Sequence, residues 1–486
     1  MLGSMYNVQL ATKAILLSSS NKIRKRILSG NDTAMVHAYY HWQHKRDQLA
    51  QLYTTPSTTK EYLAQVDSVK STINRIEKEL NIAAEDVEKD KGGKLVQWRD
   101  LQSVLKSNEA AIEIIRLKYY DRYERDSIVY AALILTAETK TAPQLVVLPN
   151  GKLLEGRALR FYKNAVSVQL QDTTSWKTYW QPIEPIIKNK TRLYLSLDGV
   201  YNSINLNTLR NPDGKFIVDE KNITLLANTK DLLAIKGRKK ILSSSSSASL
   251  VGFPTYFLGK EKIKTMGNKR DVDMSEFSDI DRSGIAELPG TREEIEKVNS
   301  ILKLNRWQVK TLTSEAATET SVKELWHPQL VHIATHGYFT SESNNSSETD
   351  PMLRAGLLFT GAANFLQDKV SASNDNGILT AYEAANLNLD NTDLVVLSAC
   401  ETGKGEVQNG EGVYGLQRAF QTAGAQAIIM SLWKVDDTAT QELMTAFYQN
   451  WMSGSTKAEA FRQAQLQLKT KYAHPYYWGA FVMMGN

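Results

Sequence analysis

The sequence predicts an α/β fold: a mainly parallel sheet with helices on both faces, preceded by an N-terminal α-helical region. Three observations support this prediction. Up to about residue 125, apolar residues recur at three- and four-residue spacing, which is typical of helices. After Asp126, short apolar runs replace that pattern. Further along the chain, near-continuous aliphatic runs alternate with amphipathic segments. The chain of 486 residues exceeds one ordinary domain, and its apolar content of 42% allows at least one sizeable core.

The first predicted region is helical. Helical spacing occurs in "YNVQLATKAILLSS", "AMVHAYYHWQHKRDQLAQLY", "EYLAQVDSVKSTINRIEKELN" and "NEAAIEIIRLKYYDRY". Pro56 and its Ser and Thr neighbours separate the second helix from the third, so we expect an array of antiparallel helical hairpins. Residues 1–5, "MLGSM", look like a remnant of a cloning vector, and a longer natural protein is expected to precede Tyr6. The predicted domains are therefore a helical adaptor, 6–125, and a sheet domain, 126–486.

The second region is predicted to contain the sheet. Its first strands lie in "SIVYAALILT", "PQLVVLPNGKLLEG" and "RLYLSLDGVYNSINL", with Asn150-Gly151 as a hairpin turn. Later strands lie in "SLVGFP", "WQVKTL", "QLVHIATHG", "DLVVLSAC" and "QAIIMSLWKVDD". Helices between them include "GTREEIEKVNSILKL" and "GVYGLQRAFQTAGA". Polar tracts starting at Ser243, Ser341 and Ser371 are predicted to be surface loops.

Composition narrows the class of protein. The formal charge of +5 comes from 58 basic and 53 acidic residues, a small imbalance that does not indicate nucleic-acid binding. A single cysteine cannot form an internal disulfide, no run of about 18 apolar residues could span a membrane, and no secretion signal is visible. We therefore expect a cytoplasmic protein that binds neither nucleic acid nor membranes.

Two predicted strand ends carry reactive side chains. His336 is followed by Gly337 at the end of "VHIATHG", and Cys400, the only cysteine, ends "DLVVLSAC". Because ligands of open parallel sheets bind beyond the carboxyl ends of the strands, a thiol and an imidazole could meet there. His332 lies inside its strand and is predicted to be a hydrogen-bonded core residue. Taken alone, Cys400 is more often a buried hydrophobe than a nucleophile.

Other site types are less well supported. The segment "GEGVYG" from Gly410 has the spacing of a dinucleotide fingerprint, but nine residues separate Cys400 from Gly410, too many for glycines that must sit at the strand end. His37, His41 and His44 have helical spacing, yet no carboxylate or thiol completes a metal site. We expect no cofactor and no metal.

The sequence resembles a known family in several segments. "HIATHG" and "LVVLSACETGKGEVQNGEGVYGLQRAFQTAGAQAIIMSLWKVDDTAT" are similar to the CHAT domain, the caspase-like domain associated with tetratricopeptide repeats. The similarity continues in "RLYLSLDGVYNSINLNTL", "LPGTREEIEKV" and "HPYYWGAFVMMG", so that it covers roughly 126–486. The helical segment from Tyr6 also resembles the helices that join such domains to upstream repeats.

This resemblance implies a cysteine endopeptidase of the caspase and separase type that cleaves a protein substrate. Cys400 would attack the scissile carbonyl, and His336 would activate the thiol or protonate the leaving amine. The backbone N–H groups of Gly337 and Cys400 would hold the oxyanion. The two residues stand 64 apart, more than the about 50 of caspases. The resemblance also implies control by an activating partner or upstream tetratricopeptide repeats, often in bacterial defence or programmed cell death.

Substrate preference is less readable. Five carboxylates in or next to loops near the predicted site are candidates for an acidic pocket that binds a basic P1 side chain: Glu401, Glu406, Glu411, Asp436 and Asp437. Of these, Asp436 and Glu401 are the two that we single out. The alternative is that Asp436 or Asp437 caps the helix that begins at "TATQELMTAF", and a small apolar P1 residue also remains open. The rival to a peptidase is a catalytically idle interaction module in which the caspase-like fold is a docking platform.

Overall fold

The computed structural model describes residues 1–30, 32–54, 59–86, 95–120, 126–148, 150–237, 246–259, 285–340, 350–368 and 375–485. The helices are α1 (Leu2–Thr12), α2 (Ile15–Ser29), α3 (Thr33–Thr54), α4 (Lys60–Asp86), α5 (Trp98–Val104), α6 (Gly151–Leu153), α7 (Leu159–Ser167), α8 (Ser175–Tyr179), α9 (Glu184–Ile187), α10 (Ile217–Glu220), α11 (Asp231–Gly237), α12 (Pro289–Leu304), α13 (Glu319–Lys323), α14 (Ala362–Asp368), α15 (Ala381–Ala384), α16 (Leu416–Thr422), α17 (Asp437–Met452), α18 (Lys457–Lys471) and α19 (Pro475–Trp478). None of these helices is long and apolar enough to cross a membrane.

The strands are β1 (Glu109–Tyr120), β2 (Asp126–Thr136), β3 (Gln144–Leu148), β4 (Arg192–Ser196), β5 (Asn222–Leu226), β6 (Ser247–Pro254), β7 (Gln308–Ser314), β8 (Leu330–Ala334), β9 (Gly337–Phe339), β10 (Ala355–Leu358), β11 (Ile378–Thr380), β12 (Leu394–Ser398), β13 (Glu406–Gln408), β14 (Gly412–Tyr414), β15 (Ala427–Ser431) and β16 (Phe481–Gly485). Eleven of them form one sheet in the order β3-β2-β1-β4-β5-β16-β15-β12-β8-β6-β7.

This sheet consists of two parallel blocks. Strands β15, β12, β8, β6 and β7 run parallel to one another, and so do β1, β4, β5 and β16. The antiparallel pair β15–β16 joins the blocks, and β2 and β3 add an antiparallel edge. The predicted mainly parallel sheet is confirmed, and the carboxyl ends of the two blocks lie at opposite edges.

Helices cover both faces of the block that consists of β15, β12, β8, β6 and β7, as predicted. On β8, Leu330 and Ala334 belong to one core with α12, α17 and α18, whereas Val331 and Ile333 belong to another with α15 and α16. A strand covered on both faces needs apolar residues at every position, which explains the near-continuous aliphatic runs. The second and third predicted N-terminal helices and the helix "GTREEIEKVNSILKL" are also confirmed, whereas the first predicted segment is divided into α1 and α2 at Lys13 and Ala14.

The fourth predicted N-terminal helix is wrong, because this segment forms β1. Its residues contact two cores: Ala110 and Ile112 pack on one side of the sheet and Ala111 and Ile115 on the other. A strand buried on both faces has no two-residue alternation, so its apolar positions also matched a helical spacing. β1 pairs with β2 and β4, and the sheet therefore includes residues before 126. Otherwise the division at residue 125 stays a prediction, as does the origin of residues 1–5, which lie at the start of α1.

Two local predictions are also wrong. Asn150 has a φ of 68° but precedes α6, so Asn150-Gly151 begins a helix and does not form a hairpin turn. The predicted helix from Gly412 begins only at Leu416, and β14 pairs with β13 before it. The fingerprint-like "GEGVYG" therefore lies mostly in a hairpin, not at a strand-to-helix turn. Most of the predicted loops at Ser341 and Ser371 lies outside the described residues, but Asn376 and Gly377, at the end of the second of these, are buried. Ser247 to Ser249 of the polar tract at Ser243 belong to β6.

Candidate active site

The strands β8 and β12 bring His336 and Cys400 to the same edge of the sheet. The two strands are parallel neighbours, and their last paired residues are Ala334 and Ser398. His336 and Cys400 each follow two residues later, so they occupy equivalent positions beyond two adjacent strand ends. This is the edge at which open parallel sheets bind ligands.

Gly337 packs against the backbone of Cys400. A Cβ atom on Gly337 would stand 2.7 Å from the carbonyl oxygen of Cys400 and 3.1 Å from Cγ2 of Thr402. Only glycine allows the backbones to approach this closely, because any larger residue would push the two strand ends apart. The predicted oxyanion donors, the N–H groups of Gly337 and Cys400, thus belong to backbones in direct contact.

The imidazole of His336 is held from the side of α12. Its Nε2 atom lies 2.8 Å from the carbonyl oxygen of Ala286, three residues before that helix begins, and its ring packs against Tyr256 with centroids 5.2 Å apart. The backbone N–H of His336 also donates to the Tyr256 hydroxyl at 3.2 Å. A carbonyl can only accept, so Nε2 carries the proton and Nδ1 of the neutral ring is available as an acceptor.

Both reactive groups are uncharged near neutral pH. Burial lowers the pKa of His336 below its ordinary 6.5, against the opposing effects of the Ala286 carbonyl and Asp437. Burial also raises the pKa of the partly buried Cys400 thiol, and the charges of Glu401 and Asp437 act in the same direction. A hydrogen bond from the Val435 backbone and the charge of Lys434 oppose this rise. The resting pair is therefore a thiol and a neutral imidazole, not a thiolate and an imidazolium.

The two predicted pocket carboxylates have other partners. Asp436 is the N-cap of α17, and its Oδ1 accepts a hydrogen bond from the backbone N–H of Ala439 at 2.9 Å. This agrees with the alternative prediction that Asp436 caps the helix. Glu401 has a φ of 58° and forms an ion pair with Lys404. Neither carboxylate is left without a partner, and a substrate-binding role for either stays a prediction.

Asp437, which the sequence suggested both as a helix cap and as one of several pocket carboxylates, has a charge that acts on the pKa values of both His336 and Cys400. Its Cβ would be 3.2 Å from a Cβ on Gly290, so the start of α12 packs beside it. Partial burial and the neighbouring Asp436 raise the pKa of Asp437. "VDD" before a helix indicates that one carboxylate caps the helix, but the choice between the two depends on where the helix begins.

The other histidines that the sequence brought into question lie away from this site in the described part of the chain. His37, His41 and His44 are exposed on α3. The described residues contain no cluster of three or more His, Cys, Asp or Glu side chains that could hold a metal ion. His332 is fully buried, as predicted, with Nδ1 3.0 Å from the Tyr448 hydroxyl.

Comparisons with known proteins place this geometry in a family. Human tetratricopeptide repeat protein 28 is 25% identical over 272 residues, which are 52% of this chain and 11% of that protein. The arginine-specific cysteine proteinase gingipain R aligns with a TM-score of 0.37 and 10% identity over 69% of this chain and 75% of its own. Separase from the Saccharomyces cerevisiae separase–securin complex aligns with a TM-score of 0.40 and 10% identity over 90% of this chain and 36% of its own. The model of the CHAT domain matches residues 173–486, and the chain belongs to the CHAT domain family.

Proposed function

We propose that this chain is a cysteine endopeptidase in which Cys400 is the nucleophile and His336 transfers protons. The observation that carries the proposal is the packing of His336-Gly337 against the backbone of Cys400, at equivalent ends of two parallel strands. Membership of the CHAT domain family and a Cys–His pair on adjacent strands both support a peptidase-like site.

The charge states suggest an order of steps. Nδ1 of the neutral His336 accepts the thiol proton as Sγ of Cys400 attacks the scissile carbonyl carbon. The oxyanion that forms accepts hydrogen bonds from the N–H groups of Gly337 and Cys400. The imidazolium then donates its proton to the leaving amine as the C–N bond breaks, which leaves a thioester. Water activated by His336 hydrolyses the thioester and regenerates the thiol.

We further propose that Asp437 favours a basic P1 side chain. It is the carboxylate whose charge acts on both reactive residues, and it is accessible to solvent. Lys or Arg of a substrate would form a charge-assisted hydrogen bond with it. Asp436 and Glu401 already have partners within the protein, so they are weaker candidates for direct contact with a substrate.

The test of the nucleophile is covalent trapping. A peptidyl chloromethyl ketone with arginine at P1 should add once to the wild-type chain, by intact mass spectrometry, and not to Cys400→Ala. His336→Gln should slow the addition, whereas His37→Gln, a matched change on exposed α3, should not. Equal rates for the wild type and His336→Gln would contradict a functional pair.

The rival function is an interaction module with an idle site. The uncharged Cys400 and His336 support this rival function, because neither group is activated before a substrate or partner binds. Under this hypothesis Cys400→Ala binds its partner as the wild type does, and neither protein cleaves it.

We propose instead that a partner or an upstream repeat region regulates an active site. The contact of Ala14 with Gly410, in the hairpin after Cys400, supports a route for such control.

A further inference from the structure

Four buried polar side chains form one connected cluster beneath the candidate active site. Nε2 of His332 lies 2.9 Å from Oε1 of Glu294, and Ser398 donates to Oε2 of Glu294 at 3.0 Å. Nδ1 of His332 is 3.0 Å from the Tyr448 hydroxyl. All four residues are at most 4% exposed. We call Glu294, His332, Ser398 and Tyr448 the buried network.

The protons in the buried network can be assigned. Burial and the charge of Glu294 raise the pKa of Tyr448 well above its ordinary value, so this side chain remains a phenol. Its hydroxyl can therefore donate to Nδ1 of His332, which leaves the N–H at Nε2 facing Glu294. Oε2 of Glu294 therefore accepts a hydrogen bond from Ser398 on β12, whereas Oε1 lies close to Nε2 of His332 on β8 without the alignment of a hydrogen bond.

Each member of the buried network lies on an element that also carries part of the candidate site. β8 continues to His336, β12 continues to Cys400, and α17 begins at Asp437. Glu294 is on α12, one helical turn after Gly290, which packs beside Asp437, and eight residues after Ala286, whose carbonyl holds His336. The start of α12 therefore contacts the site in two places, and Glu294 joins the same helix to both strands.

A carboxylate at this interface determines the position of the helix more than it adds stability. Replacing a whole buried ionic group by apolar side chains of similar volume is often neutral or stabilising. A buried carboxylate is nevertheless costly to move away from its contacts, so a shift of α12 that separates Glu294 from His332 and Ser398 is disfavoured. Glu294 thus fixes one register of α12 on the ends of β8 and β12.

We propose that Glu294 is a positioning residue for the Cys400–His336 pair. By fixing α12, it holds the Ala286 carbonyl on Nε2 of His336 and keeps Nδ1 directed towards the substrate side. The kinetic consequence of this inference rests on the proposed peptidase function, but its consequence for the reactivity of the Cys400 thiol does not.

Thiol alkylation tests the inference without a substrate. Cys400 is the only cysteine, so the rate of its reaction with iodoacetamide can be followed on the full chain from about pH 5 to about pH 9. His336→Gln identifies the part of the profile that depends on the imidazole. We expect Glu294→Gln to lose or shift this part. Glu296→Gln, the same change at a side chain on α12 that is 69% exposed, should retain the wild-type profile.

The kinetic arm separates positioning from stability. With an arginyl peptide as substrate, Glu294→Gln should lower kcat about tenfold or more with KM little changed, because a misplaced proton donor affects the reaction step. Ser398→Ala removes one of the two contacts of Glu294 and should show the same effect more weakly. This variant therefore tests the inference even if Glu294→Gln fails to fold. An alkylation profile that superimposes on that of the wild type, with only a lower melting temperature, would overturn the inference. Absence of peptide cleavage by the wild type would contradict the proposed function. The alkylation result would then still decide whether Glu294 positions the Cys400–His336 pair.

Discussion

At the scale of single residues, burial favours the uncharged forms of both the thiol and the imidazole of the candidate site. Burial causes both pKa shifts, in opposite directions, since it disfavours the thiolate of Cys400 and the imidazolium of His336. Asp437 opposes the thiolate but favours the imidazolium. A basic substrate side chain beside Asp437 would offset its charge, which would favour the thiolate at the moment of binding.

This arrangement leads to a prediction for substrate preference. Asp437→Asn should lower kcat/KM for peptides with arginine at P1 about tenfold or more, because a charge-assisted hydrogen bond contributes about 1.5 to 3 kcal/mol. The ratio of kcat/KM for arginine and alanine at P1 measures the effect.

Asp436→Asn is the matched control for this prediction. Asparagine is as good an N-cap as aspartate, so α17 should remain capped and the preference unchanged. If the Asp436 variant lost the arginine preference and the Asp437 variant kept it, our assignment would be wrong.

The sequence predicted some of these residues and not others, for physical reasons. The positions of His336 and Cys400 followed from strand ends, because a run of aliphatic residues that stops at a polar one indicates where a buried strand leaves the core. Asp437 was one of five candidate pocket carboxylates, but the choice between it and Asp436 depends on where α17 begins, which the sequence does not show. The carbonyl of Ala286 carries no side-chain signal at all, and Glu294 resembled any acidic residue of an amphipathic helix.

At the scale of elements, the N-terminal helices are fixed to the sheet by a buried ion pair. The Lys13 ammonium lies 3.0 Å from Oε2 of Glu113 on β1 and donates to the carbonyls of Ile114 and Ser196. The next residue, Ala14, donates its backbone N–H to the carbonyl of Gly410, at the tip of the hairpin β13–β14. The junction of α1 and α2 is thereby linked to the hairpin that follows Cys400.

We expect Lys13→Met to release this junction. The variant leaves the Glu113 carboxylate buried without its cation, and breaking such a pair typically costs about 3 to 5 kcal/mol. Hydrogen–deuterium exchange should become faster in α1 and around Gly410, and the melting temperature should fall.

Lys22→Met is the control, since Lys22 is exposed on α2. A double variant, Lys13→Met with Glu113→Leu, should recover much of the lost stability because it removes the unpaired charge. Unchanged exchange around Gly410 in Lys13→Met would show that the junction and the hairpin are not coupled.

The misassigned elements are those in which burial or short length hides the hydrophobic periodicity of a strand. β1 is covered on both faces, so its period of two is hidden. Gly412 to Tyr414 form a three-residue strand, and such a strand is shorter than any window in which periodicity can be measured. The strands β6, β7, β8, β12 and β15 were predicted correctly because their apolar runs are bounded by the amphipathic helices on either side in the sequence.

At the scale of the whole molecule, one buried cluster should make stability depend on pH. Burial and the nearby charge of Glu383 raise the pKa of Glu319 to about 8, although Lys323 contacts both carboxylates. The folded chain therefore binds a proton that the unfolded chain, with an ordinary value of 4.5, has already released. This contribution to stability is fully present below about pH 4.5 and is lost as the pH rises through about 8.

Glu319→Gln tests this dependence, because the amide resembles the protonated carboxyl group. We expect the variant to have a higher melting temperature than the wild type near pH 8.5. Below this pH, the melting temperature of the variant should change less with pH than that of the wild type. Glu324→Gln, an exposed neighbour, should follow the wild type. Equal slopes for the wild type and Glu319→Gln would contradict the assignment.

The central claim, that Cys400 cleaves peptide bonds in proteins, is tested most directly by labelling new protein N-termini in a proteome treated with the full chain. We predict N-termini that appear with the wild type and not with Cys400→Ala, preceded in the substrate by arginine or lysine. If the protein's partner is needed for activity, the same comparison applies with it present. An identical set of N-termini for the wild type and Cys400→Ala would contradict the account.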